Sequence, residues 1–275
     1  MKQFDFHRFV LALKCHFVTT RGTWLRVFSL QFIALFLWQL FFLWSSFYSR
    51  NYTDESAEVV HSIYYNAIDQ IAGFSIVFIG IAMLFGAVCM FTGLKSTGAR
   101  AAYLTLPLAN AEKYVVNFLF ATLFCALGSF VAYLCADALR VLIDLLTGHM
   151  VVWSVPYFFD SWTLLTIDNY LTVLLIGFFL LVHAFYMLGG TLLRRQPILL
   201  TAMAHVILVY VLIFVWRFGL GYPSMLSHTD TGEAVPTGWY YAVTIGFYLL
   251  SVLFYWLSYR IFCRMQVNNH KWLNV

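Results

Sequence analysis

The amino-acid sequence predicts an all-α integral membrane protein: six transmembrane helices, an N-terminal amphipathic interfacial helix, and both termini in the cytoplasm. Three observations lead there. Hydrophobic residues make up 62% of the 275-residue chain and charged residues only 10%, where a soluble domain carries about 25% charge. Six long windows contain no Asp, Glu, Lys or Arg. The basic residues between those windows fall almost entirely on one side.

The windows are Val27 to Tyr48, Gln70 to Leu94, Tyr114 to Ala136, Asn169 to Leu193, Pro197 to Trp216 and Trp239 to Tyr259. Each reaches the roughly 20 residues a helix needs to cross about 30 Å of hydrocarbon. They are solidly apolar, whereas barrel strands would alternate over about 10 residues. Of the 16 Lys and Arg, 13 lie before the first window, in the second and fourth connections, or after the last window. Arg50, Arg140 and Arg217 are the exceptions, and they share their side with ten of the twelve acids. The positive-inside rule therefore places both termini and the second and fourth connections in the cytoplasm.

Taken in order, residues 1–26 form the first element. Phe6, Phe9, Val10, Leu13 and Phe17 recur at helical spacing, while His7, Lys14 and Arg21 fall on another face, as in a helix lying in the headgroup layer. This segment serves either as a basic topology anchor or as an elbow leading into a transport domain. The first apolar run begins only after residue 26 and is too long for the core of a cleaved signal peptide, so it reads as an uncleaved anchor. Residues 27–262 form the transmembrane domain and residues 263–275 a basic tail. Small residues stripe two of the spans: Gly73, Gly80 and Ala87 in the second, and Ala121, Cys125, Gly128, Ala132 and Ala136 in the third. Such faces let helix backbones approach closely in lipid.

The connection from Lys95 to Lys113, KSTGARAAYLTLPLANAEK, is the main place where a soluble partner can meet this chain. Gly98 permits a turn and Pro107 stops a preceding helix. Asn110 is suited to cap the third span, with Glu112 in its first turn favourable to the helix dipole. Arg100 to Leu106 fits two short turns with Leu104 and Leu106 exposed. Local chemistry leaves two readings open, helix punctuation and a docking knob. Gly93-Leu94-Lys95-Ser96 is not a phosphate-binding loop, because that motif needs adjacent Gly-Lys after a fixed gap and a preceding strand.

His183 and His205, in spans joined by the short hairpin Arg194-Arg195-Gln196-Pro197, are placed to face each other at similar depth as a candidate intramembrane polar pair, since an ionisable group within a span marks a functional candidate. Neutral histidines hydrogen-bonding across a helix pair are the commoner outcome. No HExxH accompanies them, so a metalloprotease is not expected, and no metal site is expected elsewhere. Asp137, Arg140 and Asp144 stand three and four apart and read as an ion-pair row on a solvated helix face. Leu145 to Phe159 is apolar but too short to span and is broken by Gly148 and Pro156. It fits a segment dipping into the outer leaflet or capping a pathway. The five cysteines suggest neither disulfides nor metal binding. Asn51-Tyr52-Thr53 is a glycosylation sequon only in a source that glycosylates, and Tyr48, Trp216, Trp239 and Tyr240 fit an interfacial aromatic belt.

The layout resembles the six-helix permease subunits of type-two ABC exporters, especially compact versions from Bacteroidetes-like bacteria. The resemblance rests on the basic start FDFHRFVLALK, the segment LTLPLANAEKYVVNFLF, the hairpin LLRRQPILLTAM and the tail YRIFCRMQV. The LP-x4-EKY element is its most specific part. It implies a subunit of the bacterial inner membrane with no ATPase site of its own. ATP would act through a separate ABC ATPase, and a second permease half and membrane lipids would be the other partners, with no nucleic acid. It also implies that Arg100 to Glu112 is the ATPase-coupling surface, with Leu106, Pro107, Glu112 and Lys113 as matching positions and Arg100 and Leu104 beside them. The last outer connection, Arg217 to Gly238, departs from the family by being polar and turn-rich. The contrasting expectations are a non-transporting membrane scaffold or sensor, and an intramembrane enzyme using His183 and His205.

Overall fold

A computed structural model describes residues 4–49, 56–91, 97–163, 170–193, 196–218, 226–228, 234–236 and 238–264. The Asn51 sequon, Lys95, Arg194, Arg195 and the tail beyond residue 264 lie outside the described residues, as do most of residues 219–237.

Helices carry almost all of the described chain. They are α1 (Phe6–Leu43), α2 (Ala57–Cys89), α3 (Thr97–Thr105), α4 (Asn110–Leu119), α5 (Cys125–Leu146), α6 (Val155–Thr163), α7 (Tyr170–Leu192), α8 (Pro197–Phe218) and α9 (Gly238–Cys263). A wider π turn, Trp44–Tyr48, extends α1, and another, Phe120–Phe124, joins α4 to α5. Strands β1 (Leu226–His228) and β2 (Ala234–Pro236) pair antiparallel, with Ser227 opposite Val235. Among the described residues, five helices are long and apolar enough to cross a membrane: Phe6–Tyr48, Ala57–Cys89, Asn110–Leu146, Thr172–Leu192 and Gly238–Cys263. The chain is a multi-pass membrane protein. In α8 the qualifying apolar stretch, Pro197–Val211, is shorter.

One difference from the sequence reading stands at the N-terminus. Residues 6–43 form a single helix, with no break between the amphipathic start and the first apolar window. At 38 residues it extends about 57 Å, well beyond the hydrocarbon thickness. Nothing in residues 20–30 opposes helix continuation: there is no proline, and Gly22 costs only about 1 kcal/mol there.

The chain divides into two compact units, one comprising Met1–Ala12, Leu84–Thr122 and Ile167–Val275, the other Leu13–Met83 and Leu123–Thr166. In the second unit, α1, α2 and α5 alternate in direction. Phe28 lies against Gly128, and Tyr48 hydrogen-bonds Asp144, so α1 and α5 run parallel. Tyr64 reaches Asp144 while Cys125 Sγ reaches the Ala82 carbonyl, so α2 runs against α5. The small-residue stripes divide their work here: Ala132 and Ala136 are buried, Ala136 clusters with Ala72, and Gly128 makes room for the Phe28 ring. Gly73 has open space around it and is not a packing contact.

In the first unit α7 packs most extensively on α9. Val173 pairs with Tyr248, His183 with Tyr255 and Thr191 with Ser258, so the two helices run parallel. A Cβ on Gly190 would lie 2.6 Å from the Val88 carbonyl oxygen, so α2 and α7 approach closely here and the position requires glycine. The core here gathers Ala87, Phe91, Tyr114, Ala121, Met187 and Phe262, with the Phe91 and Phe262 rings stacked at 5.0 Å.

Candidate functional site

The segment from α3 to α4 is more ordered than two short turns. Residues Thr97–Thr105 form a helix, and Leu106, Pro107 and Leu108 turn the chain into α4. Pro107 lacks the amide hydrogen a continuing helix needs, which sets the break. Leu106 and Pro107 are exposed, Leu106 at 42%. The side chains of Arg100 and Leu104 lie outside the described ones, although both residues sit on α3.

Glu112 is not on that exposed face. Its exposure is 0%, and it accepts hydrogen bonds from three directions: Asp5 N at 2.7 Å, Ala109 N at 2.8 Å and Arg8 Nη2 at 3.2 Å. Asp5 is itself the cap of α1, its Oδ1 accepting His7 N at 2.9 Å. Ala109 is the cap of α4, with extended backbone angles. One carboxylate therefore ties together the N-terminal caps of two helices, where unpaired amides and the helix dipole both favour a negative charge. The cap of the third span is Ala109 rather than Asn110, which is the first helical residue. Alanine has no capping oxygen, so Glu112 reaching back from the third helical position supplies it, half of a capping box.

Lys113 is buried beside it, its Nζ lying 5.8 Å over the Tyr103 ring. Tyr103 donates to the Lys113 carbonyl at 3.2 Å, and Asn117 donates to the same carbonyl at 2.8 Å and to the Tyr103 hydroxyl. Burial pushes the Tyr103 phenol well above its usual range, against the opposing effect of the Asn117 hydrogen bond, so it stays a neutral donor. The residue after Lys113, Tyr114, donates to Ser258 Oγ at 3.0 Å, and Thr191 donates to the same oxygen at 3.2 Å. The chain of contacts runs from α3 through α4 to α7 and α9. Of the four positions matched to the coupling motif, Leu106 and Pro107 form the exposed tip, while Glu112 and Lys113 form its support.

His183 and His205 do not form a pair. His183 Nδ1 hydrogen-bonds the Tyr255 hydroxyl at 2.8 Å, facing α9, and His183 is buried. His205 lies half-buried against the rings of Tyr186 and Phe185, at 5.5 and 6.0 Å. At about 100° per residue, Phe185 stands about 200° round α7 from His183, so these two side chains face different neighbours.

Sequence reasoning misjudged one cluster. Asp137, Arg140 and Asp144 are exposed by only 0%, 0% and 2%, a buried row instead of a solvated face. Arg140 Nη2 meets Asp137 Oδ1 at 2.6 Å and Arg140 Nη1 meets Asp144 Oδ2 at 2.8 Å. The spacing signalled the ion pairs. The covering comes from Tyr48 and Tyr64, which precede the row, and from residues 150–154, which follow it, and no local pattern in the row announces it. Among the described residues, no three His, Cys, Asp or Glu side chains gather as a metal ion would require.

No known protein family, curated protein or solved structure matches the chain.

Proposed function

We propose that this chain is the membrane permease subunit of an ATP-driven exporter, with the 97–113 segment as the surface that couples it to a separate ABC ATPase. The observation that carries this reading is the construction of that segment. A short helix with an exposed Leu106-Pro107 tip stands on a support in which Glu112 ties α4 to the start of α1, Lys113 and Asn117 hold Tyr103 of α3, and Tyr114 reaches Ser258 of α9, which Thr191 of α7 also meets. A force applied at such a tip is passed to several long helices, as coupling requires and punctuation alone does not. The sequence resemblance supplies the identity of the partner, and the chain would pair with a second permease half in a bacterial cytoplasmic membrane.

This reading takes α8 as a sixth span. Because α7 and α9 run parallel, the chain must return between them, and α8, at 22 residues, is the helix available for the crossing. Six crossings put both termini on one side, the side that the basic residues assign to the cytoplasm.

The test is purification from native membranes at native expression, followed by assay for bound ATP hydrolysis. A nucleotide-dependent ATPase accompanies the parent chain and is lost with Leu106→Asp, which changes only an exposed side chain. A parent preparation with no ATPase, or a Leu106→Asp variant that keeps it, overturns the proposal. Glu112→Arg is unsuited to this purpose, because it would place a second cation beside Arg8 inside the support.

A further inference from the structure

Between α5 and α6 the chain turns at Gly148, whose φ of 74° suits glycine, and then runs without helix over residues 149–154. Its residues alternate. His149, Val151 and Trp153 are exposed, while Met150, Val152 and Ser154 face inward. Met150 and Val152 pack on the cluster built from Leu43, Phe47, Tyr64 and Ile68. The inward backbone groups are held at every second residue. Tyr64 donates to the Met150 carbonyl at 2.7 Å, Arg140 Nη2 donates to the Val152 carbonyl at 2.7 Å, and Ser154 N donates to Asp137 Oδ2 at 3.0 Å. Tyr133 and Ser154 share a hydroxyl hydrogen bond at 2.6 Å.

The row that holds this segment is complete without it. Arg140 pairs with Asp137 and Asp144 through contacts made within α5, Tyr48 donates to Asp144 at 2.9 Å, and the Tyr64 hydroxyl, 3.1 Å from Asp144 Oδ2, is placed to turn its single hydrogen wholly to that carboxylate once the Met150 carbonyl leaves. If the segment lifted, those internal pairs would remain and water would take the places of the Val152 carbonyl and the Ser154 amide. Buried charges are costly when unpaired and tolerable when hydrated. The row therefore has two satisfied arrangements, covered by protein or wetted, and a poorly satisfied one between them. That is the requirement for a two-state element. A strap held by apolar contact alone would loosen gradually.

We propose that residues 149–154 are a reversible strap over the ends of α1, α2 and α5, hinged at Gly148 and latched by the Asp137–Arg140–Asp144 row. In its open state the strap uncovers Arg140 and leaves the three helices folded.

The experiment places a thiol at Ser154→Cys, with Cys15, Cys89, Cys135 and Cys263 changed to serine and buried Cys125 retained. Reaction with a charged maleimide is followed in permeabilised cells, so both aqueous sides are reached. Removing only hydroxyls, with Tyr48→Phe and Tyr64→Phe together, raises the labelling rate at residue 154 about tenfold, and Arg140→Gln raises it further. Labelling of Cys125 stays at the parent rate. Unchanged labelling at 154 in the tyrosine pair overturns the strap. So does a parallel rise at Cys125, which would mean that the row only stabilises the fold. Should Arg140→Gln fail to reach the membrane, the tyrosine pair decides alone.

Discussion

Two buried carboxylate clusters hold backbone amides in this protein, one in each compact unit, and they do so under different electrostatic conditions. Glu112 ties the caps of α1 and α4, and its cationic partner Arg8 is one-third exposed to solvent. Asp137 and Asp144 share an arginine that is itself fully buried. In the first cluster, backbone amides do most of the work and the ion pair is an edge contribution, screened by water. In the second, every member depends on the others, because no solvent is at hand to replace a lost partner. A cluster with a wet edge tolerates change of its cation; a dry one does not.

The contrast is sharpest at the two arginines. Arg140→Met leaves two buried carboxylates without a cation and removes the bond to Val152, and a loss of about 3–5 kcal/mol follows. In mild detergent this variant shows a large drop in thermal midpoint, or fails to accumulate in the membrane. Parent-like melting would mean that the row is already hydrated. Glu112→Ala comes next. It strips acceptors from the Asp5 and Ala109 amides and costs about 2–3 kcal/mol. Limited proteolysis should cut within the first ten residues of the variant while sparing the parent, and intact N-termini in both would show that Glu112 does not hold the segment.

Tyr64→Phe removes one hydroxyl that serves both Asp144 and the Met150 carbonyl, and about 1 kcal/mol is expected from the loss. A double-mutant cycle with Tyr48→Phe measures whether the row is cooperative. Strict additivity would make it a set of independent bonds. Arg8→Ala has the smallest effect, below about 1 kcal/mol, because its side chain is partly solvated and the Glu112 amide bonds remain. A melting shift as large as that of Arg140→Met would erase the distinction between the two clusters.

Much of the helical architecture was legible in composition. The first, second, third, fourth and sixth charge-free windows fall on helices long and apolar enough to span, because in lipid the helix is the open-ended way to satisfy every amide. Pro107 as a helix stop was legible too, since its chemistry is local. Lys113 was not legible as a support residue. A lysine at a predicted helix start reads as exposed, whereas in the fold it is buried, with the Tyr103 ring of α3 beside its Nζ. Gly128 was readable as a site of close packing, yet its neighbour, Phe28 on α1, lies a hundred positions earlier and follows from no spacing rule.

The sequence by itself determined a membrane protein of long apolar helices and the connections in which its basic residues gather. Those properties depend on periodicity, composition and charge, which need no knowledge of neighbours. Tertiary structure decided which charges are buried. Glu112 became a double cap because Asp5 arrives beside it from the N-terminus, and Arg140 became a dry arginine because residues 150–154 fold over it. Desolvation depends on what covers a group, and the covering comes from other parts of the chain.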